Sequence, residues 1–281
     1  MRSYGHSPYV PTVADYPRPL IRAGVPDPTG KFSLWARTMG YPGLVSANRL
    51  WVKTRKEPGW VSHDRVLAAT YGGDVALDCG GFTLGGKFPW TVEDYVWLAG
   101  QVPWAWWAQM DVPCEPEQSS PPWPNIERTV QLLGECRAVA ADYRYEGWHI
   151  ADPMPVIQGW SMSQYLTCMD MMTKELEGEW PRLIGIGSVC RRHRTREIVH
   201  IVTALMGYLP DHVSVHLFGV KGEALDALKQ HDRVASMDSQ AWDLDARYCT
   251  NWGECRPESG HNPWQHRAAH LERWYERNRA R

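Results

Sequence analysis

Short apolar runs alternate with amphipathic stretches along most of the chain. The runs are Pro42–Leu50, Val75–Asp78, Trp104–Asp111, Pro155–Gln158, Leu183–Val189, Val213–Val220 and Val234–Asp238. Several are continuously apolar, the pattern of strands buried on both faces. Helices are predicted between them. Ser161 opens one, with Gln164 three residues on as a capping box, and its stripe is Met162, Tyr165, Leu166, Met169 and Met172. Thr195 caps a second carrying Ile198, Val199, Val202, Leu205 and Met206. Asn125 caps a third with Ile126, Val130, Leu133 and Val139, and Thr91 a fourth with Val92, Tyr95, Val96 and Ala99. The methionine stripe reads as helix core rather than a ligand box. Strand and helix alternating in this way predict a parallel sheet, either a barrel or doubly wound. The pattern alone supports about seven strands and does not close a barrel.

Residues 1–30 carry Pro8, Pro11, Pro17, Pro19, Pro26 and Pro28, a spacing that forbids long helix and predicts an extended arm. Glu115–Pro124 is the clearest interior loop. No internal repeat and no break in composition divides the chain. Its 281 residues suit one α/β barrel or two modest domains. With 43% hydrophobic and 22% charged residues, a disordered or fibrous chain is excluded. No apolar stretch reaches the length of about 18 residues needed to span a bilayer, and the start lacks an apolar h-region. Neither membrane insertion nor secretion is expected, and the seven scattered cysteines are expected as reduced thiols in a cytoplasm. The net charge of −2 excludes a general polycation, so a nucleic-acid partner needs a local basic patch. Arg191-Arg192-His193-Arg194-Thr195-Arg196 offers one, although a solvated helix start explains the charge run equally well.

Each apolar run ends in something chemically capable. Val75–Leu77 ends at Asp78, followed by Cys79-Gly80-Gly81-Phe82, and Trp104–Met110 ends at Asp111. Val156-Ile157 ends at Gln158, Leu183–Ile186 at Gly187-Ser188, Val215–Leu217 at Phe218-Gly219, and Val234–Met237 at Asp238-Ser239. In a parallel α/β fold the C-terminal strand ends form one face, and ligands bind there. A single aspartate at a strand end is more often a cap or turn residue. Three aspartates and a glutamine at the ends of separate strands exceed what capping requires. They point to an enzyme with paired carboxylates and a planar polar ligand. Spacing does not choose between Asp78 and Asp238 as a nucleophile.

These same residues carry a family resemblance. Leu77-Asp78-Cys79-Gly80-Gly81-Phe82 resembles the Asp-Ser-Gly-Gly-Phe signature of tRNA-guanine transglycosylases. Ile157-Gln158-Gly159, Gly185-Ile186-Gly187-Ser188 and Leu217-Phe218-Gly219-Val220 are similar to three further strand ends of that family, in the same order. Ser236-Met237-Asp238-Ser239-Gln240-Ala241-Trp242 resembles the strand bearing its nucleophilic aspartate. The Asp-Ser-x-Ala-Trp form, the trailing Asp245-Ala246-Arg247 and the short length resemble the DpdA branch, whose members insert 7-deazaguanine bases into DNA and are often phage-encoded.

The resemblance implies a (β/α)8 TIM barrel with its first strand near Leu20–Val25. The chain then divides into an arm over 1–17, a barrel over 18–245, and a Cys/His loop with an Arg-rich helix over 246–281. Asp238 is implied as the nucleophile at C1′ of deoxyguanosine, with Asp78 shuttling protons. Asp111, Gln158, Gly187 and Ser188 are implied to bind the base, between Phe82 and Phe218. Cys79 stands where the family has serine, a weaker donor. Arg191, Arg192, Arg194 and Arg196 follow closely on the Gly187-Ser188 strand end, and their expected role on that face is to hold the DNA backbone, since Arg pairs phosphate bidentately. Cys249, Cys255, His261 and His266 form C-x5-C-x5-H-x4-H, a soft donor set suited to structural zinc. The family carries such a zinc nearby with a different spacing, and His270 or Cys190 are substitutes within reach. No redox or nucleotide cofactor is expected. The expected partners are DNA and a 7-deazaguanine base, no membrane, and a location in the cytoplasm, with protection from restriction as the role. The oligomeric state stays open, a homodimer among the options. A tRNA substrate, a non-catalytic partner subunit and, more remotely, an unrelated barrel hydrolase remain the alternatives.

Overall fold

The computed structural model describes residues 19–52, 58–70, 73–117, 121–189, 195–220, 223–251 and 263–279. The strands in chain order are β1 (Leu20–Val25), β2 (Gly43–Ser46), β3 (Trp51–Val52), β4 (Gly59–Trp60), β5 (Val75–Asp78), β6 (Val156–Ile157), β7 (Leu183–Ile186), β8 (Ser214–Leu217) and β9 (Val234–Ser239). Seven form one parallel sheet in the order β5-β2-β1-β9-β8-β7-β6, while β3 and β4 make a small antiparallel hairpin. The helices are α1 (Lys31–Thr38), α2 (His63–Thr70), α3 (Gly81–Leu84), α4 (Val92–Gly100), α5 (Trp123–Tyr145), α6 (Met162–Glu175), α7 (Thr195–Tyr208), α8 (Glu223–Leu228), α9 (Ala241–Asn251) and α10 (Pro263–Arg279). None among the described residues is long and apolar enough to cross a membrane.

The period of two along each strand decides what reaches the site. Ile21, Ala23, Ile157, Ile184, Ile186, Val215, Leu217 and Met237 join the apolar layer packed against the helices. Val45, Val75 and Leu77 do the same on the other side. The alternate positions face the other way. Leu44, Ala76 and Val156 form a small cluster there with Trp106, Ala108 and Met154. One step further along the strands lie Ser46, Asp78, Gln158 and Asp238. A polar residue at an alternate strand position therefore meets its counterparts from other strands.

Between the outermost strands, β5 and β6, residues 105–109 run across. Isolated parallel bridges join Leu77 to Trp107 and Ala108 to Met154. Ala108 N–H donates to Leu77 O at 2.9 Å, and Gln109 N–H to Met154 O at 3.0 Å. The predicted strand over Trp104–Asp111 is thus present as bridges rather than a continuous ladder. The reason is Gln109, fully buried, whose amide substitutes for neighbouring backbone. Its Nε2 donates to Met110 O and Thr129 O, and its Oε1 accepts from Val156 N–H at 3.1 Å.

Thr91 and Ser161 cap their helices as expected, each completing a reciprocal capping box, with Asp94 and Gln164 respectively. Helix α7 begins with Thr195 itself. Asn125 is not a cap. Helix α5 starts at Trp123 with Pro122 at its N-cap, because Pro124 sits in the first turn, where no backbone N–H is needed. The freed Asn125 side chain donates instead to Pro113 O at 2.6 Å.

The tail is a helix docked on the body. Leu271, Trp274 and Tyr275 of α10 are buried, and Tyr275 meets Tyr41 edge-on at 4.9 Å. Asp243 of α9 is buried and pairs with Arg267 of α10, whose Nε donates at 2.7 Å, and with Arg247. Residue 245, where the barrel was expected to end, lies inside α9. The arm over 1–17 lies outside the described residues.

Candidate active site

The sheet's C-terminal strand ends surround a cavity of about 380 Å3. Asp78, Phe82, Asp111, Gln158, Gly187, Ser188, Phe218 and Asp238 all line it, so the structure brings these sequence-predicted residues together. Gly24, Glu115, Leu244 and Arg247 complete parts of the wall.

One wall is a chain of hydrogen bonds. The carboxyl oxygens of Asp78 and Asp111 and the sulfur of Cys79 lie within 4.8 Å of one another. Cys79 Sγ–H donates to Asp111 Oδ1 at 2.9 Å, and Gln158 Nε2 donates to Asp111 Oδ2. The other end of the Gln158 amide, Oε1, lies 2.6 Å from Ser188 Oγ, which is also 2.8 Å from Glu115 Oε2. Ser188 accepts from Cys114 N–H at 3.0 Å. These contacts hold Ser188 in a left-handed conformation, φ 53°, that a non-glycine residue adopts only when its surroundings over-determine it. Tyr165, expected as an α6 core residue, donates its hydroxyl to Gly187 O at 2.7 Å and so ties that helix to the turn.

On the facing wall Asp238, at the end of β9, is 7% exposed. Its Oδ1 accepts from Gly219 N–H at 2.8 Å. His216 Nε2 lies 3.5 Å from the same oxygen.

Burial and like charge set the protonation of the aspartates. The Asp78 carboxyl is pushed up to about 7, first by desolvation and then by the charges of Asp111 and Asp238. Asp111 is also raised by burial, against the opposing hydrogen bonds from Cys79 and Gln158. Burial and the neighbouring aspartates drive the Cys79 thiol well upward, so it stays a protonated donor and not a nucleophile. The site thus contains a carboxyl that exchanges a proton near neutrality, a shared pattern among acid–base catalysts.

Gly81 shows how tightly this wall is built. A Cβ there would strike the backbone oxygen of Asp111. Gly81→Ala should destabilise the fold by about 1–3 kcal/mol through overpacking, read by denaturant unfolding. A variant as stable as the parent would show that the Asp111 backbone is free to shift.

Two buried groups at this face escape a reading of the sequence. Glu115 opens a proline-rich loop that looks solvated, yet it is 1% exposed. His216 lies within an apolar run, between Val215 and Leu217, and only the alternation that also aims Phe218 inward marks it. Of the arginines, Arg196 is exposed in the first turn of α7. Arg191, Arg192 and Arg194 lie outside the described residues.

A second cluster joins the last two helices. Ligand atoms of Cys249, His266 and His270 lie within 4.8 Å of one another. His270 Nε2 is buried with no hydrogen-bond partner, which suits a metal ligand, and His266 Nε2 lies 3.2 Å from Ala246 O. Cys249 is disulfide-bonded, so its sulfur could serve a metal as thiolate only after reduction. Cys79, Cys114, Cys136 and Cys168 are free and buried. Cys255 and His261 lie outside the described residues.

No curated protein matches the chain. Residues 29–279 match the family described as DpdA, DeoxyPurine in DNA protein A, and the chain, with its carboxylate-lined cavity at the strand ends, belongs to that family.

Proposed function

We propose that the protein exchanges guanine in DNA for a 7-deazaguanine base through a glycosyl ester on Asp238. Family membership supports deazapurine modification of DNA in general. The observation that carries the finer reading is the pairing of two unlike aspartates in one cavity. Both accept from a backbone N–H, Asp238 from Gly219 and Asp78 from Gly80, but burial and like charge hold Asp78 near its protonation midpoint at neutral pH.

In this reading a flipped deoxyguanosine enters between Phe82 and Phe218. An Asp238 carboxylate oxygen bonds to C1′ while the C1′–N9 bond breaks and its electron pair leaves with guanine. A carboxylate suits this step, since it stabilises the oxocarbenium-like carbon and can depart again. Protonated Asp78 supplies the proton that neutralises the departing base. The Asp78 carboxylate then accepts the N9 proton of the incoming 7-deazaguanine, whose nitrogen attacks C1′ and frees Asp238. Asp111, Gln158 and the Gly187-Ser188 turn present donors and acceptors along one line, as the polar edge of a purine requires. The atoms and charges balance without an oxidant or a nucleotide.

Residues 105–109 are read as the missing strand of a (β/α)8 barrel, since they bridge β5 at Leu77 and, at Met154, the segment that leads into β6. Arg196 and the neighbouring arginines of 191–194 are assigned to phosphates, and protection from restriction is the proposed role. A zinc held by His266, His270 and a reduced Cys249 would pin α9 to α10 and take no part in the exchange.

Incubation with labelled guanine and either duplex DNA or tRNA tests the function. Label should enter DNA and be displaced by added 7-deazaguanine bases. Label in tRNA alone would transfer the reading to RNA, and label in neither would overturn it.

A further inference from the structure

Below the cavity floor the interior layer, apolar over Leu44, Ala76, Trp106 and Val156, also holds polar groups that the exchange as described leaves unused. Arg22, His216 and Ser236 are all buried there. His216 on β8 stands beside Ser236 on β9 in the strand register, two residues before Asp238. Its Nδ1 lies 2.7 Å from Ser236 Oγ. Its ring packs against both Trp106 and Phe218, with centroids 4.7 Å and 4.6 Å away. Its Nε2 is buried with no hydrogen-bond partner and lies 3.5 Å from Asp238 Oδ1, the nearest carboxylate oxygen it can serve.

We propose that His216 is the positioning residue of Asp238: its Nε2–H, together with Gly219 N–H, holds Oδ1 and leaves Oδ2 as the oxygen that attacks C1′. This rests on Asp238 being the nucleophile. The tautomer follows from the partners. A ring nitrogen without a proton would face the carboxylate lone pair to lone pair, so Nε2 carries the hydrogen and Nδ1 accepts from the Ser236 hydroxyl. The charged groups facing the ring are Asp238 and Arg22. Burial, with Arg22, lowers the imidazole pKa against the opposing pull of Asp238, so the ring stays neutral. A neutral donor fixes the carboxylate without neutralising its charge, which the attack on C1′ needs. The ring is held in place by its tilted contact with Trp106, its edge contact with Phe218 and the Ser236 hydroxyl. During ester formation Oδ1 becomes a carbonyl oxygen. When the incoming base frees Asp238, the same two donors receive the returning negative charge.

The test uses the full-length protein with a DNA oligonucleotide, reading covalent adduct formation in a single turnover, KM for DNA and thermal stability. His216→Leu should slow adduct formation roughly 10- to 100-fold, the worth of one hydrogen bond to a charged group. KM should stay within about twofold of the parent. His216→Gln places an amide nitrogen near the position of Nε2 and should restore most of the rate. Equal impairment of both variants would reduce His216 to packing and overturn the proposal, and so would a full rate in His216→Leu. Nitrogen-15 NMR of the parent decides independently of activity and of variant folding. A neutral Nε2–H imidazole is expected across neutral pH, and an Nδ1–H tautomer would overturn the proposal. Absence of any adduct in the parent, with the Nε2–H tautomer present, would instead count against the transglycosylase reading.

Discussion

Asp238→Asn should abolish guanine release from DNA, with a loss on the order of 10^4-fold or more, as removal of a covalent nucleophile produces. The amide keeps the shape of the side chain and its oxygen can still accept from Gly219 N–H. The fold should therefore survive, with a thermal transition close to that of the parent. The amide is too weak a nucleophile to form the ester at C1′. Adduct trapping followed by peptide mapping measures this directly. The parent should carry the deoxyribosyl group on the peptide containing Asp238, and the variant should carry none. An adduct on Asp78 would reverse the two roles, a choice that spacing along the chain left open.

Asp78→Asn should slow the exchange roughly 10^2- to 10^4-fold, the usual range for loss of a general acid or base. It should also separate activity from stability. The Asp78 carboxyl is raised from 3.8 to about 7 in the folded protein, so folding disfavours its ionised form. The unfolded chain loses this proton near pH 4, the folded chain only near pH 7. Stability therefore falls as the pH rises between these values, and the full cost applies above about 7. The neutral amide removes that cost. The variant should match the parent near pH 4 and be more stable at pH 8 by about 2 kcal/mol, allowing for the solvent that reaches the cavity. In the parent, the rate of guanine expulsion should decline as the pH rises through about 7. Thermal melts at the two pH values and a single-turnover pH series check both halves. A variant less stable than the parent at pH 8 would mean that the hydrogen bonds Asp78 accepts from Gly80 N–H and Ser46 outweigh its desolvation and the like charges beside it.

The strand-end residues were legible because parallel strands punctuate their own apolar runs. Most polar residues of these strands sit where the chain leaves the sheet, so Asp78, Gln158 and Asp238 stood out, whereas His216 and Ser236 lie buried mid-strand and did not. Strand β1 did not stand out, because Arg22 interrupts its apolar pattern, and its placement came from the resemblance. Gln109 was hidden for a related reason. It looked like one polar residue in a tryptophan-rich run, whereas its amide takes the place of strand hydrogen bonds. Asn125 misled because a good capping residue stood one position past a proline that starts helices equally well. Glu115 was invisible because burial of a loop carboxylate depends on partners far along the chain. Ser188, which meets it, is 73 residues away. Local pattern reports which face a residue occupies, but not who waits for it there.

The salt bridge between α9 and α10 makes the C-terminal helix answerable to the reaction cavity. Asp243 lies under the cavity rim formed by Leu244 and Arg247, and Arg267 reaches it from the last helix. Without Arg267 the buried carboxylate of Asp243 would keep only the more exposed Arg247 as its partner, a weaker compensation than the pair of arginines gives. Truncating the chain before Arg267 would thus halve the cationic support of a buried carboxylate at the cavity rim rather than trim an ornament from its surface. The last helix is in effect a buttress of the cavity wall, bearing on it through one carboxylate that both share.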